Sequence, residues 1–401
     1  MRFPDFQGEW EEKKLGEIAD VSKLAGYEFT KHITYEETGK IIALRGLNIK
    51  NNQLDLSDVK YIDNSDLFKL NRSKLFIDDL MFTYIGTIGE VALIEENNRF
   101  YLAPNVSRIR VEKNIILPLF LLQYFNQPNF KNIEIAKYVS SSSQPALTME
   151  NVRKFTVFLP STQEQNKIAA FLSLIDQRIQ TQIKIIEDLK LLKSTMSQNI
   201  FSHKIRFKDE NGNVFPNWEL KKLNDVLIIQ GGYAFKSNLF NQGANKVIRI
   251  GDILPIIKLS KFSGTYSSET PNEKYIVKKD DFMMALSGAT FGKVGKIKGE
   301  GIAYINQRVA TFRTKQNLEF FYQLVQTDSF KNYINSIPAA SAQPNISNDD
   351  IGNYKSYIPH FIEQTKIASF LSTIDKKIEI GRQILNTYTE QKKYLLANLF
   401  I

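Results

Sequence analysis

The sequence predicts an α+β chain in which two duplicated mixed α/β domains are joined by two long antiparallel helices that form a coiled coil, related by a pseudo-twofold. Three observations predict it. A helical segment occurs twice, Gln163 to Ile200 and Ile362 to Ile401, with matching letters 199 positions apart: Glu164 and Gln165 return as Glu363 and Gln364, and Asp176 returns as Asp375. Both copies carry a heptad pattern over about 38 residues, which at 1.5 Å per residue makes a rod of roughly 55 Å, longer than an ordinary globular helix. Each rod follows a stretch of short apolar runs broken by Gly, Asn, Asp and Ser, the pattern of several short strands with a few helices.

The seam of the rods is read from the heptads. One position takes Leu172, Ile179, Ile186, Lys193 and Ile200, answered by Leu371, Ile378, Leu385, Lys392 and Leu399; the other takes Ile175, Gln182, Leu189 and Met196, answered by Ile374, Gly381, Tyr388 and Leu395. Two such stripes are built to pack on each other. Lys193 and Lys392 interrupt the apolar seam at matched positions, where they either set register or extend to solvent.

In chain order, the first globular part opens with Phe3-Pro4-Asp5-Phe6 and Trp10-Glu11-Glu12-Lys13-Lys14-Leu15. The second opens with Phe215-Pro216-Asn217-Trp218-Glu219-Leu220-Lys221-Lys222-Leu223. Asp79 to Val91 (DLMFTYIGTIGEV) answers Asp281 to Val294 (DFMMALSGATFGKV), each a strand, a glycine turn and a strand. Val106 to Arg110 answers Val309 to Arg313 as a further strand, and Phe130-Lys131-Asn132 answers Phe330-Lys331-Asn332 inside a helix. A small polar loop follows, Ser140 to Pro145 or Ala340 to Pro344. Thr148 and Ser347 then N-cap a short helix, with Asp350 at the capping-box position. A last strand ends at Pro160 or Pro359, before each rod. By contrast, Lys23 to Lys74 and Tyr233 to Lys278 show little mutual similarity. The scaffold is duplicated and the part between is individual, as expected of two units that bind related but different things.

Composition bounds the class. Hydrophobic residues make up 43% and charged residues 24%, enough for cores and against disorder. Fifty-two basic against 43 acidic residues leave +9, which favours a polyanionic partner without identifying it. No cysteine is present, so disulfides and thiolate metal sites are excluded. The acidic, broken start is unlike a signal peptide, and the longest apolar run, Ile115 to Phe125, is far short of a membrane span. The expectation is a soluble cytoplasmic protein without a membrane partner.

Catalytic constellations are sought and not found. Asp5 with Glu11, Glu12 and Lys13 has the residue types of a metal-dependent nuclease, but the gap is short and the second copy holds Asn217 in place of the aspartate. Gly288-Ala-Thr-Phe-Gly-Lys293 lacks one spacer residue of a phosphate-binding loop and has Val294 where a hydroxyl is needed; the counterpart Gly86-Thr-Ile-Gly89-Glu90 ends in an acid. It reads either as a plain hairpin turn or as a turn whose backbone NH groups approach a phosphate. His32, His203 and His360 are isolated, so no metal site or catalytic dyad is expected. Neither an adenine-methyltransferase motif nor a dinucleotide fingerprint is present.

The stretch FPDFQGEWEEKKLGEI at Phe3 to Ile18, the two Gln-Pro loops, and the EQxKIAxFLSxID repeat at Glu164 to Asp176 and Glu363 to Asp375 resemble, over essentially the whole chain, the specificity subunit of type I restriction-modification enzymes. The resemblance implies target-recognition domains at 1–160 and 204–359, and conserved long helices at 161–203 and 360–401. It implies a non-catalytic reader of a bipartite, asymmetric double-stranded DNA target. Two methyltransferase subunits and the restriction-translocase subunits would dock on it, and S-adenosylmethionine, ATP and Mg would be used by those partners, with no cofactor in this chain. Within that reading, DNA contacts are expected from Arg45, Asn48, Tyr84, Thr87 and the loop Ser141, Ser142, Ser143, Gln144. In the second half they are expected from Arg249, Asp252, Ser287, Thr290, Lys293, Ser341 and Gln343, because base edges need such polar groups at strand ends and turns. Methyltransferase contacts are expected on rod faces away from the seam, around Gln165, Lys167, Asp176, Gln364, Lys366 and Asp375. The alternative is a scaffold whose rods recruit partners while the globular ends bind protein; a self-sufficient nuclease or methyltransferase is disfavoured by the missing motifs.

Overall fold

The computed structural model describes residues 2–24, 31–139, 145–337 and 345–400. The chain divides into two compact units: 1–184 with 382–401, and 185–381. Each unit therefore holds the start of one rod and the end of the other, the rods being helices Thr162–Phe201 and Phe361–Asn398.

In the first unit an antiparallel sheet runs in the order Ala19–Lys23, Val106–Val111, Leu80–Thr83, Val91–Leu93. The second unit repeats that order with Ile228–Gly231, Val309–Arg313, Phe282–Ala285 and Val294–Lys298, and adds Ile256–Lys258 at the edge. A two-stranded ladder joins the start of each domain to the strand before its rod, Glu11–Lys14 with Thr156–Leu159 and Glu219–Lys222 with Lys355–Ile358. Both hairpins expected at the glycine turns are present. Gly89 and Gly292 close them with positive φ, and a Cβ at either would lie 2.9 Å from an isoleucine Cδ1, of Ile135 and Ile334 respectively.

The segments that look unrelated in sequence build sheets of the same arrangement, one in each unit. Ile42–Leu44 lies between an antiparallel strand, Lys60–Tyr61, and a parallel one, Phe100–Leu102; Phe240–Ile248 lies between Thr265–Ser267, antiparallel, and Ile302–Ile305, parallel. What diverges is the loop chemistry on that frame.

The opening residues correspond differently from the Phe-Pro alignment. Arg2 bonds Glu164 through Nε at 2.8 Å and Nη2 at 2.7 Å, and Arg206 bonds Glu363 at 2.8 and 2.9 Å. Phe3 and Phe207 stand edge-on to Phe171 and Phe370 at 5.8 Å. Arg2-Phe3 therefore answers Arg206-Phe207, because the acid one turn into each rod needs a partner. Glu164 and Glu363 are buried, and an unpaired buried carboxylate would be costly.

The helix expected at Phe330 runs Asp328–Ser336, capped by Thr327, whose hydroxyl accepts the Phe330 N–H. Its counterpart has Gln127-Pro128 in place of Thr327-Asp328 and winds more loosely, as a π turn over Phe130–Glu134 and a 3-10 turn over Ile135–Lys137. Thr148 and Ser347 cap the short helices as expected, and Asp350 completes the box at Ser347.

Each core is closed by the end of a rod. In the first unit Leu395, Leu396, Leu399 and Phe400 join Ile168, Leu172 and Ile175 in one apolar cluster, with Phe400 5.7 Å from Phe120 and 6.3 Å from Trp10. In the second, Ile200 joins Ile367 and Leu371, with Phe201 5.6 Å from Phe320 and 6.4 Å from Trp218. The seam lysines set the register: Lys392 pairs with Asp176 and Lys193 with Asp375, so in each unit the two rod segments run antiparallel.

Two outcomes test this. Phe400→Ala removes a buried ring and lowers the stability of the first unit by about 3 kcal/mol, leaving the second unit's transition in place, as read by calorimetry. Ser347→Ala costs the second unit about 1 kcal/mol through its lost cap. Asp350 is held below its usual pKa by hydrogen bonds from the Ser347 hydroxyl and N–H. That contribution is present above the unfolded carboxylate pKa and lost as pH falls through the lowered folded value, so the variant's deficit should shrink in acid.

Candidate nucleic-acid interface

Each unit gathers three loops at one end of its sheets: the glycine turn, a short arginine turn, and the residues flanking the small polar loop. Ala146 bridges to Ile85 and Asn345 to Ser287, so the chain after each polar loop lies beside the glycine turn. The arginine turns start where a strand ends, after Leu44 and after Ile248. In both, the fourth residue accepts the arginine N–H: Asn48 Oδ1 at 3.1 Å from Arg45 and Asp252 Oδ2 at 2.9 Å from Arg249. A Cβ on Gly288 would lie 3.1 Å from Ile250 Cδ1, which sets the second arginine turn against its glycine turn.

Within this cluster the expected residues separate by exposure. Thr87, Arg249 and Lys293 are exposed; Arg45, Asp252 and Thr290 are half-buried. Asn48 is fully buried, donating to the Asp55 and Asp58 carbonyls at 2.9 and 2.7 Å, so its amide holds the turn. Tyr84 is buried in the core beneath the turn, desolvation pushes its hydroxyl pKa up, and the Lys23 ammonium sits 5.3 Å from its ring. Ser287 is buried as well. Arg45 donates to the Asp58 carbonyl at 2.8 Å and to its carboxylate at 3.0 Å. Ser141, Ser142, Ser143, Gln144, Ser341 and Gln343 lie outside the described residues.

The six recurring rod residues are engaged inside their own units. Gln165 Oε1 accepts the Leu117 N–H at 2.9 Å, and its Nε2 donates to the Ile115 and Pro160 carbonyls at 3.0 Å. Gln364 does the same with Asn317 at 3.3 Å and Pro359 at 2.9 Å. Both amides are buried, so neither is open to an incoming chain. Asp176 accepts from Gln123 at 2.8 Å and Asp375 from Gln323 at 2.9 Å, each also holding its seam lysine; they face the seam, where the heptads place Lys392 and Lys193, instead of the face away from it. The Lys167 ammonium meets Asp5 and the rings of Phe3 and Phe6, and Lys366 donates to the Lys208 carbonyl at 2.7 Å.

Two features of the cluster escape a reading by exposure and residue type. Asn105 and Arg308 occupy the turn whose carbonyl accepts the N–H of Tyr84 and Leu286 respectively, and both are exposed. Gly232-Tyr233-Ala234-Phe235 repeats Gly26-Tyr27-Glu28-Phe29, a signal available inside the divergent segments. Tyr233 donates its N–H to the Ile305 carbonyl at 2.9 Å, and a Cβ on Gly232 would lie 2.1 Å from the Asn306 carbonyl oxygen. The first copy lies outside the described residues.

Among the described residues no helix is long and apolar enough to cross a membrane, and no three or more His, Asp or Glu gather as a metal site. The family model for the type I restriction modification DNA specificity domain matches twice, at residues 7–191 and 216–389. The chain belongs to the type I restriction-modification specificity subunit family. It is a DNA specificity subunit, itself non-catalytic. The MjaVIII specificity subunit of Methanocaldococcus jannaschii is 26% identical over 350 residues, 83% of this chain and 81% of that protein. The EcoBI specificity subunit of Escherichia coli is 26% identical over 162 residues, 40% of this chain and 33% of that one. The S subunit from M. genitalium has the same fold, with a TM-score of 0.62 at 17% identity over 98% of this chain and 96% of that one.

In this specificity subunit the buried amide separates architecture from reading. Asn48→Ala leaves the Asp55 carbonyl and the Arg45 N–H unpaired and should lower the first unit's stability by about 1–3 kcal/mol, measured by denaturant unfolding, as a variant of a surface reader would not.

Proposed function

We propose that the two units read the two halves of a bipartite, asymmetric double-stranded DNA target, with the turn cluster of each unit meeting the DNA. The observation that carries this is the recurrence of one frame with different side chains on it: the same sheets and the same three loops, bearing Arg45, Thr87 and Asn105 in one unit and Arg249, Thr290, Lys293 and Arg308 in the other. A shared frame presents both halves alike, and side chains that differ on it, some meeting phosphates and some base edges, give an asymmetric target. Asn48, Asp252, Tyr84 and Ser287 support the readers from beneath. Ser141, Ser142, Ser143, Gln144, Ser341 and Gln343, outside the described residues, join them as DNA contacts.

Two methyltransferase subunits dock on the rods, and restriction-translocase subunits join the assembly through them. S-adenosylmethionine, ATP and Mg serve those partners. Gln165, Gln364, Asp176 and Asp375 act on docking through the joint they hold, with Lys167 and Lys366 at its rim. Each unit exposes apolar rod residues, Leu174 and Ile384 in the first and Ile185 and Leu191 in the second, which a partner would cover.

Co-expression with the cognate methyltransferase subunit in a host lacking adenine methylation tests this, with modified bases located by single-molecule sequencing. The expected result is a split motif with an undefined centre, appearing only with this chain. A stable complex that modifies no motif would overturn the reading in favour of a protein-binding scaffold.

A further inference from the structure

The two turn clusters share a backbone and differ in free charge. In the second unit the three cations at the cluster are Arg249, Lys293 and Arg308, all exposed, and among the described residues none forms an ion pair. Their backbones are tied to one another. The Ala285 N–H donates to the Lys293 carbonyl at 2.9 Å, the Leu286 N–H to the Arg308 carbonyl at 2.9 Å, and the Asn306 N–H to the Ile248 carbonyl, next to Arg249, at 3.0 Å. The acid in this group, Asp252, is turned back onto the Arg249 N–H.

In the first unit the corresponding positions are Arg45, Glu90 and Asn105. Arg45 is paired with Asp58, and Glu90 accepts the Asn51 N–H at 3.2 Å, locking the turn that Lys293 leaves open. Lys23 is the cation left unpaired beside this cluster among the described residues, its ammonium over the Tyr84 ring. Counting Asp252 against three cations leaves +2 in one cluster, all three cations without an ion pair among the described residues, while Arg45, Lys23 and Lys131 against Asp58 and Glu90 leave +1 in the other, where Lys131 stands 3.9 Å from Glu90 and Arg45 is held by Asp58.

We infer that the second unit is the electrostatic anchor of the complex, with Arg249, Lys293 and Arg308 taking DNA phosphates irrespective of sequence, while the first unit reads its half with little phosphate neutralisation. This rests on the DNA-reading function proposed above. Phosphate contacts release counterions, so each contributes about 0.9 to the slope of log affinity against log salt, whereas base contacts contribute to discrimination. A duplex should therefore be caught through the second unit first, and the first unit should decide whether it stays.

The test uses the assembled methyltransferase complex and measures DNA affinity against salt for target and non-target duplexes. The substitution R249Q/K293Q/R308Q should flatten the slope by about 2 to 3 and weaken both duplexes alike. Lys293→Gln alone, at an exposed side chain, should flatten it by about 1. Glu90→Lys should steepen it by about 1 by giving the first turn the second turn's charge. An unchanged slope in a folded triple variant overturns the anchor, as does a motif that loses its second half while the slope holds, since the three residues would then be base readers. A wild-type complex that binds DNA without salt dependence sinks the underlying DNA-reading function, a different result from either.

Discussion

Both units depend on a carboxylate in the rod seam. Asp176 and Asp375 each gather a lysine from the other rod and a glutamine from the domain's own helix, tying three segments distant in sequence at one point. Each rod is amphipathic and cannot cover its stripe alone, so each domain core is finished by the far end of the other rod, at Phe400 and at Phe201. A polar contact inside an apolar seam adds little net stability but penalises every other register, since a shift would leave a half-buried charge unpaired.

The second constraint is the pair of buried glutamates at the rod starts. Glu363 is satisfied by Arg206 and by the Trp218 indole at 2.9 Å, while Glu164 has Arg2, and the Trp10 indole nitrogen is buried with no partner among the described residues. The duplication is thus complete in packing and incomplete in hydrogen bonding. The same holds one layer out. Lys296, Glu319 and Gln323 extend the Asp375 joint in the second unit, where the first has Leu93 and Leu119. Burial, Asp375 and Glu319 push the Tyr322 hydroxyl of that joint above its ordinary pKa.

The turn clusters show how one frame serves two targets. Backbone hydrogen bonds place the glycine turn, the arginine turn and the strand turn together in each unit, and none of those bonds specifies a side chain. Side chains at the cluster are free to diverge while the sheets beneath stay the same. That separation explains why two segments with little sequence likeness fold onto the same three-strand arrangement.

The sequence by itself determined the duplication, the rods and their seam, both hairpins, the caps at Thr148 and Ser347, and the family. These are carried by local periodicity and by recurrence within one chain, which need no knowledge of distant partners. Only the tertiary structure decided what the polar residues do. Recurrence marked Gln165, Gln364, Asp176 and Asp375 as important but not the direction they face, because facing inward depends on Leu117, Gln123 and Lys392 and their counterparts, tens to hundreds of positions away. Likewise Arg45 and Arg249 are alike in sequence context, and the presence of Asp58 beside one of them separates a neutralised cation from one that has no ion pair among the described residues. Exposure and charge pairing are properties of the neighbours that folding supplies.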